Sequence, residues 1–464
     1  MKKKLQTLTL ANGSKIAVIG AGPAGTFFAD LAIHMAQERG LDISVVLFDG
    51  KDFTQRGPKG CNLCAGVISE TLETRLKERG IALPEEKVQR KINGYYLQGR
   101  TGGILLTHPL NKSRITTVFR GNGPRLSREK GNVSFDDHLL EHVRRRGAKV
   151  IRRLVKRVEL PQDPEDPVKI IYGIGKEEST FEADLVVGAF GLSMYMMKKI
   201  QNLNFGYRPP HTVRARNVEI RLNRGFIQET FGGNIFTYNM STIRKMFVAC
   251  LIPKKDYMTV NMIGRRDVKE EELAHFLDFL VVHKKLPKDW SSSDNVCTCT
   301  PRIAIRSAKK PFTDRLVIIG DASCSRYYKN GIESAFVTSK LAAETAFNLG
   351  ISESAFKAGY YSRIKKIIVK DNFYGRILIK INDLATGNAF LSEVMLNVAR
   401  EKANKMRDVL WNTYTGNIPY KAILLKFINP VLQWQLAATT FKLIFRSILS
   451  KSSIFFKTRR AMHK

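Results

Sequence analysis

The stretch Ile16–Gly25, IAVIGAGPAG, constrains this chain more than any other. Lys15–Ile19 is a short β-branched run that fits a buried parallel strand. Thr26–Arg39 has helical spacing, with Phe27, Leu31, Ile33 and Met35 at apolar positions, and Gly40 stops it. Ile43–Phe48 is a second apolar run, closed by Asp49. Together these segments predict a βαβ unit. Gly20, Gly22 and Gly25, with Pro23 and Ala24 between the last two, allow a tight turn. They bring the backbone close to a pyrophosphate seated on the helix N-terminus. Asp49 stands where an acidic side chain bonds ribose hydroxyls. The expectation is a dinucleotide site, the alternative being a glycine-rich loop without a ligand.

Two later segments bear on which dinucleotide. Arg315–Ala322, RLVIIGDA, reads as a strand ending in Gly320-Asp321. After it, Lys329–Ala335, KNGIESA, opens a helix at Gly331-Ile332 that runs to about Phe347. Asp321 is suited to bonding a ribityl chain, and the free N–H groups at Gly331–Ile332 suit the O2 side of a flavin ring. Ala183–Ser193, ADLVVGAFGLS, is a strand running into small residues, Gly191 among them, that leave room for the adenine dinucleotide. No second GxGxxG follows a strand, and Gly173 and Gly175 read as a hairpin turn. In this order the segments resemble the FAD-binding domain of the large flavoprotein reductase and monooxygenase superfamily. The fold class expected is α/β, a Rossmann-like FAD-binding domain with an antiparallel-sheet substrate domain and a helical C-terminal extension.

Gly57–Leu72 (GPKGCNLCAGVISETL), Thr117–Pro124 (TVFRGNGP) and Ser134–Val150 (SFDDHLLEHVRRRGAKV) narrow the resemblance. With the Gly-Asp segment they are similar to the geranylgeranyl reductase family, over about residues 14–350. The resemblance implies reduction of carbon–carbon double bonds in isoprenoid chains. It also implies that Cys64-Ala65-Gly66 lies beside the flavin, and Cys64, with Cys61, is the candidate catalytic thiol. The family's arginine ahead of the Phe-Asp helix would fall on Asn132 by spacing; Arg120 is assigned instead, with Arg128 second. Val155 is assigned to the strand that meets the adenine. One segment departs from the family. Met246–Pro253, MFVACLIP, keeps the proline but has Val248, Cys250 and Ile252 in place of tyrosine, tryptophan and phenylalanine.

Cys61-x-x-Cys64 and Cys297-x-Cys299 raise the alternative of a four-thiolate metal site, but the C-x-C spacing suits a zinc knuckle poorly and no metal is expected. With six cysteines in 464 residues, reduced thiols in a cytoplasmic setting are the default. The opening MKKKLQTLTLANGS is basic without a sustained apolar run. His138 and His142 have i, i+4 spacing on a predicted helix and read as a solvated face.

The charge is unusual: 76 Lys and Arg against 42 Asp and Glu, a net of +34. Such an excess favours an anionic partner. The basic residues are spread along the chain without a recognised nucleic-acid motif, so no nucleic acid is expected. Phe356–Trp411 reads as basic and helical, and Thr413–Pro419 as a linker. Beyond Pro430, Gln435, Thr439, Lys442 and Arg446 form a narrow polar stripe on an otherwise apolar helix, and the basic tail Lys457–Lys464 follows. Its longest uncharged run is too short to span a bilayer, so the helix is read as lying in an anionic headgroup layer. The expected location is peripheral, on the inner face of the membrane.

The domain reading follows. The FAD-binding domain takes 1–94, 126–200 and 296–350, the substrate strands 95–125 and 201–295, and the basic helical region 351–464. The expected activity is reduction of a double bond in an isoprenoid or other long apolar lipid, with reduced ferredoxin or NADPH as donor. The rivals are an FAD monooxygenase, a carrier passing electrons to membrane quinone, and a protein whose flavin is structural.

Overall fold

The computed structural model describes residues 8–99, 102–108, 113–128, 130–163, 165–239, 246–291, 295–400 and 405–461. The basic residues that open the chain lie outside them, as do residues 462–464 of the tail.

Four apolar runs read from the sequence assemble, with Phe312–Thr313 and Lys149–Ile151 at the edges, into a sheet ordered Phe312–Thr313, Leu316–Ile318, Leu185–Gly188, Ser14–Ile19, Ile43–Phe48, Lys149–Ile151. All its pairings are parallel except the edge pair formed by Phe312–Thr313. Helices Pro23–Glu38 and Gly331–Asn348 pack together on one face, where Phe27 and Phe336 meet edge to face at 5.3 Å. Strands buried on both sides are the reason these segments read as unbroken Val/Ile runs rather than as alternation. The opposite face is covered in part by a three-stranded sheet, Leu154–Glu159, Val168–Gly173 and Ser179–Ala183. The turn at Gly173–Gly175 joins its last two strands, as expected.

The second body is a seven-stranded sheet: Asn295–Cys299, Arg216–Arg221, Tyr257–Gly264, Met246–Pro253, Asn234–Asn239, Gly94–Gln98, Gly103–Thr107. Its one parallel pair is Asn234–Asn239 with Gly94–Gln98; the other neighbours run antiparallel. Two boundaries move. Asn295–Cys299 pairs with Arg216–Arg221, so residues 296–299 belong to the substrate sheet and not to the nucleotide-binding part. Thr212–Arg214 leaves that sheet to pair with Arg302–Ala304.

The region from residue 351 is divided between the two bodies. Ile351, Phe356, Tyr360, Ile364 and Ile368 complete the core beneath the parallel sheet. Leu378, Leu396, Leu410, Trp411, Tyr414 and Ile423 instead pack on the substrate sheet, against Tyr95, Leu97 and Ile252. The expected linker 413–419 is helical at its start, since the helix Lys405–Thr415 includes residues 413–415. The helical part is thus a wall of the substrate half, built by apolar faces that need that sheet to be buried.

The His138 and His142 pair is not a solvated face. His138 bonds the Ala82 carbonyl at 2.8 Å, and His142 bonds Asp30 at 3.1 Å. Asp30 is 2% exposed and also pairs with Arg79, at 2.8 Å, and with Arg146. Burial alone would raise its carboxyl, but His142, Arg79 and Arg146 together hold it down at about 2.

Candidate active site

One cavity of about 960 Å³ runs from the glycine turn to the substrate sheet. At its nucleotide end the backbone is shaped by glycine. Gly20 has φ +107°, and a Cβ there would lie 2.5 Å from the Ala189 carbonyl oxygen. The helix Pro23–Glu38 starts at Gly22 with no side-chain cap, so its first N–H groups are left for a ligand. Gly20, Gly22, Pro23 and Ala24 line the cavity. Gly25 does not: a Cβ there would sit 1.9 Å from the Gly20 carbonyl oxygen, so this glycine is needed for packing beneath the turn.

Asp49 lines the cavity and accepts N–H bonds from Ala21 and Lys51, each at 2.8 Å. Burial raises its carboxyl, against those two bonds and the Lys51 ammonium. Val155 and Gly191 line the same stretch. At the other end of the nucleotide path come Gly320, Asp321, Gly331 and Ile332. Burial raises Asp321, opposed by its bond to Ser325 and by Arg120. The helix Gly331–Asn348 begins after Asn330 in a left-handed conformation, φ +48°, again with no side-chain cap. Two uncapped helix starts, a half-buried acid beside each and a connecting path of small residues form a donor and acceptor set that fits FAD.

Arg120 also faces this cavity. It is 8% exposed and forms a two-pronged pair with Asp136, Nη2 to Oδ2 at 2.9 Å. Burial would lower the guanidinium, but Asp136 and then Cys64 hold it firmly charged. Its rival Arg128 is exposed. Asn132, where spacing would place the arginine, instead bonds Asp137.

The two thiols of the C-x-x-C part company. Cys64 lines the main cavity, whereas Cys61 lines a second, small cavity together with Cys64, Cys297 and Cys299. Cys61, the second candidate thiol, does not line the main cavity; its sulfur accepts the Leu63 N–H at 3.3 Å, and burial pushes the thiol up. Both cysteine pairs do converge, as a thiolate site would require. All six cysteines are free, and among the described residues no group of three or more ligands is arranged to hold a metal. Glu219 and Lys254 share this small cavity and pair with each other at 2.7 Å.

Beyond Cys64 the main cavity widens between the sheet and the C-terminal helices. Tyr95, Ile115, Ile235, Ile263, Leu378 and Ile379 make it largely apolar. Val248, Cys250 and Ile252, the departures in MFVACLIP, alternate along one strand and all face it. Sequence reasoning gave no role to six residues of this lining. Thr413–Thr415 and Tyr420 come from a region read as linker and extension. Arg326 and Lys329 lie in the loop before Gly331 and line the same space.

No protein-family profile matches this sequence, and no curated protein matches it. Solved structures do match in fold. A geranylgeranyl bacteriochlorophyll reductase-like protein from Thermoplasma acidophilum superposes with a TM-score of 0.67 at 16% identity, over 93% of this chain and 100% of that one. A flavoprotein/dehydrogenase from Cytophaga hutchinsonii gives 0.63 at 14% identity, over 93% and 100%. The p-nitrophenol 4-monooxygenase of Pseudomonas putida gives 0.54 at 14% identity, over 85% and 99%. At these identities what is shared is the fold, an architecture that carries reductases and monooxygenases alike.

Proposed function

We propose that this protein is an FAD-dependent oxidoreductase that saturates a carbon–carbon double bond in a long apolar lipid of isoprenoid type, working at an anionic membrane surface. The observation that carries the reading is the single cavity, in which residues fitted to FAD continue into a chamber walled by apolar side chains. The likeness in fold to the reductase-like protein agrees with it.

Bound FAD, once reduced, supplies a hydride equivalent to one alkene carbon. The chain's residues do the rest. Gly20, Gly22, Pro23 and Ala24 hold the pyrophosphate, Asp49 the ribose, Val155 and Gly191 the adenine end, and Asp321, Gly331 and Ile332 the flavin end, with Arg120 beside it. The row Val248, Cys250, Ile252 and the opposed Leu378 and Ile379 orient the chain and exclude water. Cys64, the thiol of the C-x-x-C that faces this space, is assigned to hold the proton that completes the saturated bond. Reduced ferredoxin or NADPH is proposed as the electron donor.

Membrane attachment is assigned to the helices Tyr420–Phe427 and Pro430–Ala461. Among the described residues no helix is long and apolar enough to cross a membrane. On the second helix the side turned to the protein carries Leu432, Gln435, Leu436 and Thr439, while Trp434, Phe441, Phe445 and Ile448 are exposed. Trp434 is 74% exposed and Phe441 73%. The polar stripe read from the sequence thus begins inward-facing, with the Gln435 Oε1 buried and lacking a partner among the described residues. An outward apolar face flanked by Lys442 and Arg446 suits insertion at an anionic headgroup boundary.

The test is anaerobic turnover of chemically reduced holoprotein with a geranylgeranyl lipid, menaquinone or neither, followed by mass spectrometry. A lipid product heavier by about two mass units for each bond saturated supports the reading. Reduction of menaquinone with its prenyl tail intact makes the protein an electron carrier instead. A hydroxylated lipid formed only on admitting oxygen makes it a monooxygenase.

A further inference from the structure

The loop between Asp321 and Gly331 puts two cations into the apolar chamber, Arg326 and Lys329. Every partner that the described residues give them is neutral. Lys329 Nζ donates to the Tyr414 carbonyl at 2.9 Å and lies 5.2 Å from the centre of the Tyr414 ring. Arg326 donates to the Gly416 and Ile418 carbonyls and stacks 4.2 Å from the Tyr420 ring centre. Its Nε is buried without a partner among the described residues. Of the other basic groups around the cavities, Arg120 pairs with Asp136 and Lys254 with Glu219, while Lys51, Arg153 and Arg302 donate to neutral oxygens outside the apolar chamber's Tyr414 and Tyr420 wall.

Two desolvated cations in an apolar chamber, satisfied only by carbonyls and rings, are costly unless a ligand brings the missing negative charge. Lys329 has three donor hydrogens and one protein acceptor, so two are left for such a ligand. We propose that Lys329 and Arg326 form an anion subsite, and that the substrate is an amphiphile whose apolar chain ends in a carboxylate or phosphate. This rests on the apolar-lipid reading above and narrows it.

The charge state of the subsite supports the same assignment. Burial lowers the Lys329 ammonium to about 8, and Arg326 pushes the same way, while Cys250 opposes. Glu333 lines the same cavity but is engaged by Arg75, Thr71 and Asn330, and the thiol and phenols nearby keep their protons through neutral pH. Burial pushes Cys250 up to about 11 and Tyr414 up to about 12, and raises Tyr95 further. Burial also pushes Tyr420 up to about 12, against the charge of Arg326; Asp371 nearby is already engaged by the Tyr420 and Lys421 N–H groups. Lys329 is therefore the group whose charge falls progressively as the pH rises through about 8.

The experiment is equilibrium dialysis of the oxidised holoprotein against oleate, oleyl phosphate and oleyl alcohol, with the flavin spectrum recorded in parallel. The two anions are expected to bind about tenfold or more tighter than the alcohol, as charge-assisted bonds in a desolvated site require. Their affinity should fall as the pH rises through about 8 while that of the alcohol stays flat. Lys329→Gln should remove the preference and the pH dependence. Lys329→Arg should keep the preference and lose the fall near pH 8. Tighter binding of oleate assigns a carboxylate, and of oleyl phosphate a phosphate. Equal binding of anions and alcohol overturns the subsite and leaves the apolar-lipid reading standing. Binding of none of the three overturns both. If Lys329→Gln changes the flavin spectrum but not the anion preference, the cation serves the cofactor and the subsite is overturned.

Discussion

Gly25 and Asp30 sit a turn apart on the first helix and are constrained by different physics. Gly25 has no room for a methyl group, because its Cβ would meet the Gly20 carbonyl at 1.9 Å. Gly25→Ala is expected to cost about 1–3 kcal/mol or more through backbone displacement, and to yield protein with little flavin. The ratio of absorbance at 450 and 280 nm together with a urea midpoint checks this; full flavin content would refute it. Asp30 is held at about 2 by two arginines and His142, although burial works against them. Its folded value is depressed, so its stabilisation is complete above about pH 4 and lost as the pH falls towards 2. The linkage is worth roughly 2 kcal/mol. The gap in urea midpoint between wild type and Asp30→Asn should be full at pH 7 and shrink below pH 4. A gap that does not change with pH would show that Asp30 acts through shape alone.

At this scale the glycine turn, the two acids and the helix starts were legible because each is local in sequence. Gly20, Asp49, Asp321 and Gly331 all line the cavity where their motifs put them. Arg120 was findable only through the family likeness, since its partner Asp136 is set by tertiary structure. Lys329 stood in a quoted segment without a role. Nothing local distinguishes a buried lysine from a solvated one, and its burial comes from Tyr414, far away in the chain.

The central strands Ser14–Ile19 and Ile43–Phe48 and the helices Pro23–Glu38 and Gly331–Asn348 were read nearly to their ends, because period and punctuation agree there, whereas the edge strands Lys149–Ile151 and Phe312–Thr313 are too short to carry such a signal. The C-terminal helices were not, because an amphipathic pattern states that one side is covered without stating by what. Two different bodies cover them, the parallel-sheet core for residues 351–368 and the substrate sheet for Leu378 to Ile423. The helix Pro430–Ala461 turns part of its polar stripe inward and leaves aromatic side chains exposed. Replacing Trp434, Phe441 and Phe445 with serine should change folding stability little, since exposed sites usually contribute within about 0.5 kcal/mol. Binding to anionic vesicles should fall at least about 100-fold, given the apolar area withdrawn from the bilayer. Cosedimentation at low and high salt measures this. Unchanged vesicle binding by the triple variant would remove this helix from the attachment surface.

Over the whole molecule, a net charge of +34 and a cavity that joins a nucleotide path to an apolar chamber point in one direction. Under the proposed function, the charge is what draws an anionic surface and its lipids to the protein, and the cavity is what takes a long chain from it. Vesicle binding by the wild type should weaken steeply between about 0.05 and 0.5 M salt, as exposed charges are screened, without disappearing, because the apolar face remains. A cosedimentation series in salt checks this, and binding indifferent to salt would rule out the charge as the attracting force. The chamber itself was not legible in the sequence, since its walls come from the sheet, the loop before Gly331 and helices around residues 378 and 414.

The central claim is that reduced flavin in this cavity gives its electrons to a double bond of the lipid in the chamber. The most direct measurement is a single anaerobic turnover, mixing dithionite-reduced holoprotein with a geranylgeranyl lipid bearing a terminal phosphate. The 450 nm band should return, with one double bond lost for each flavin reoxidised. A flavin that stays reduced beside bound, unchanged lipid would contradict the account.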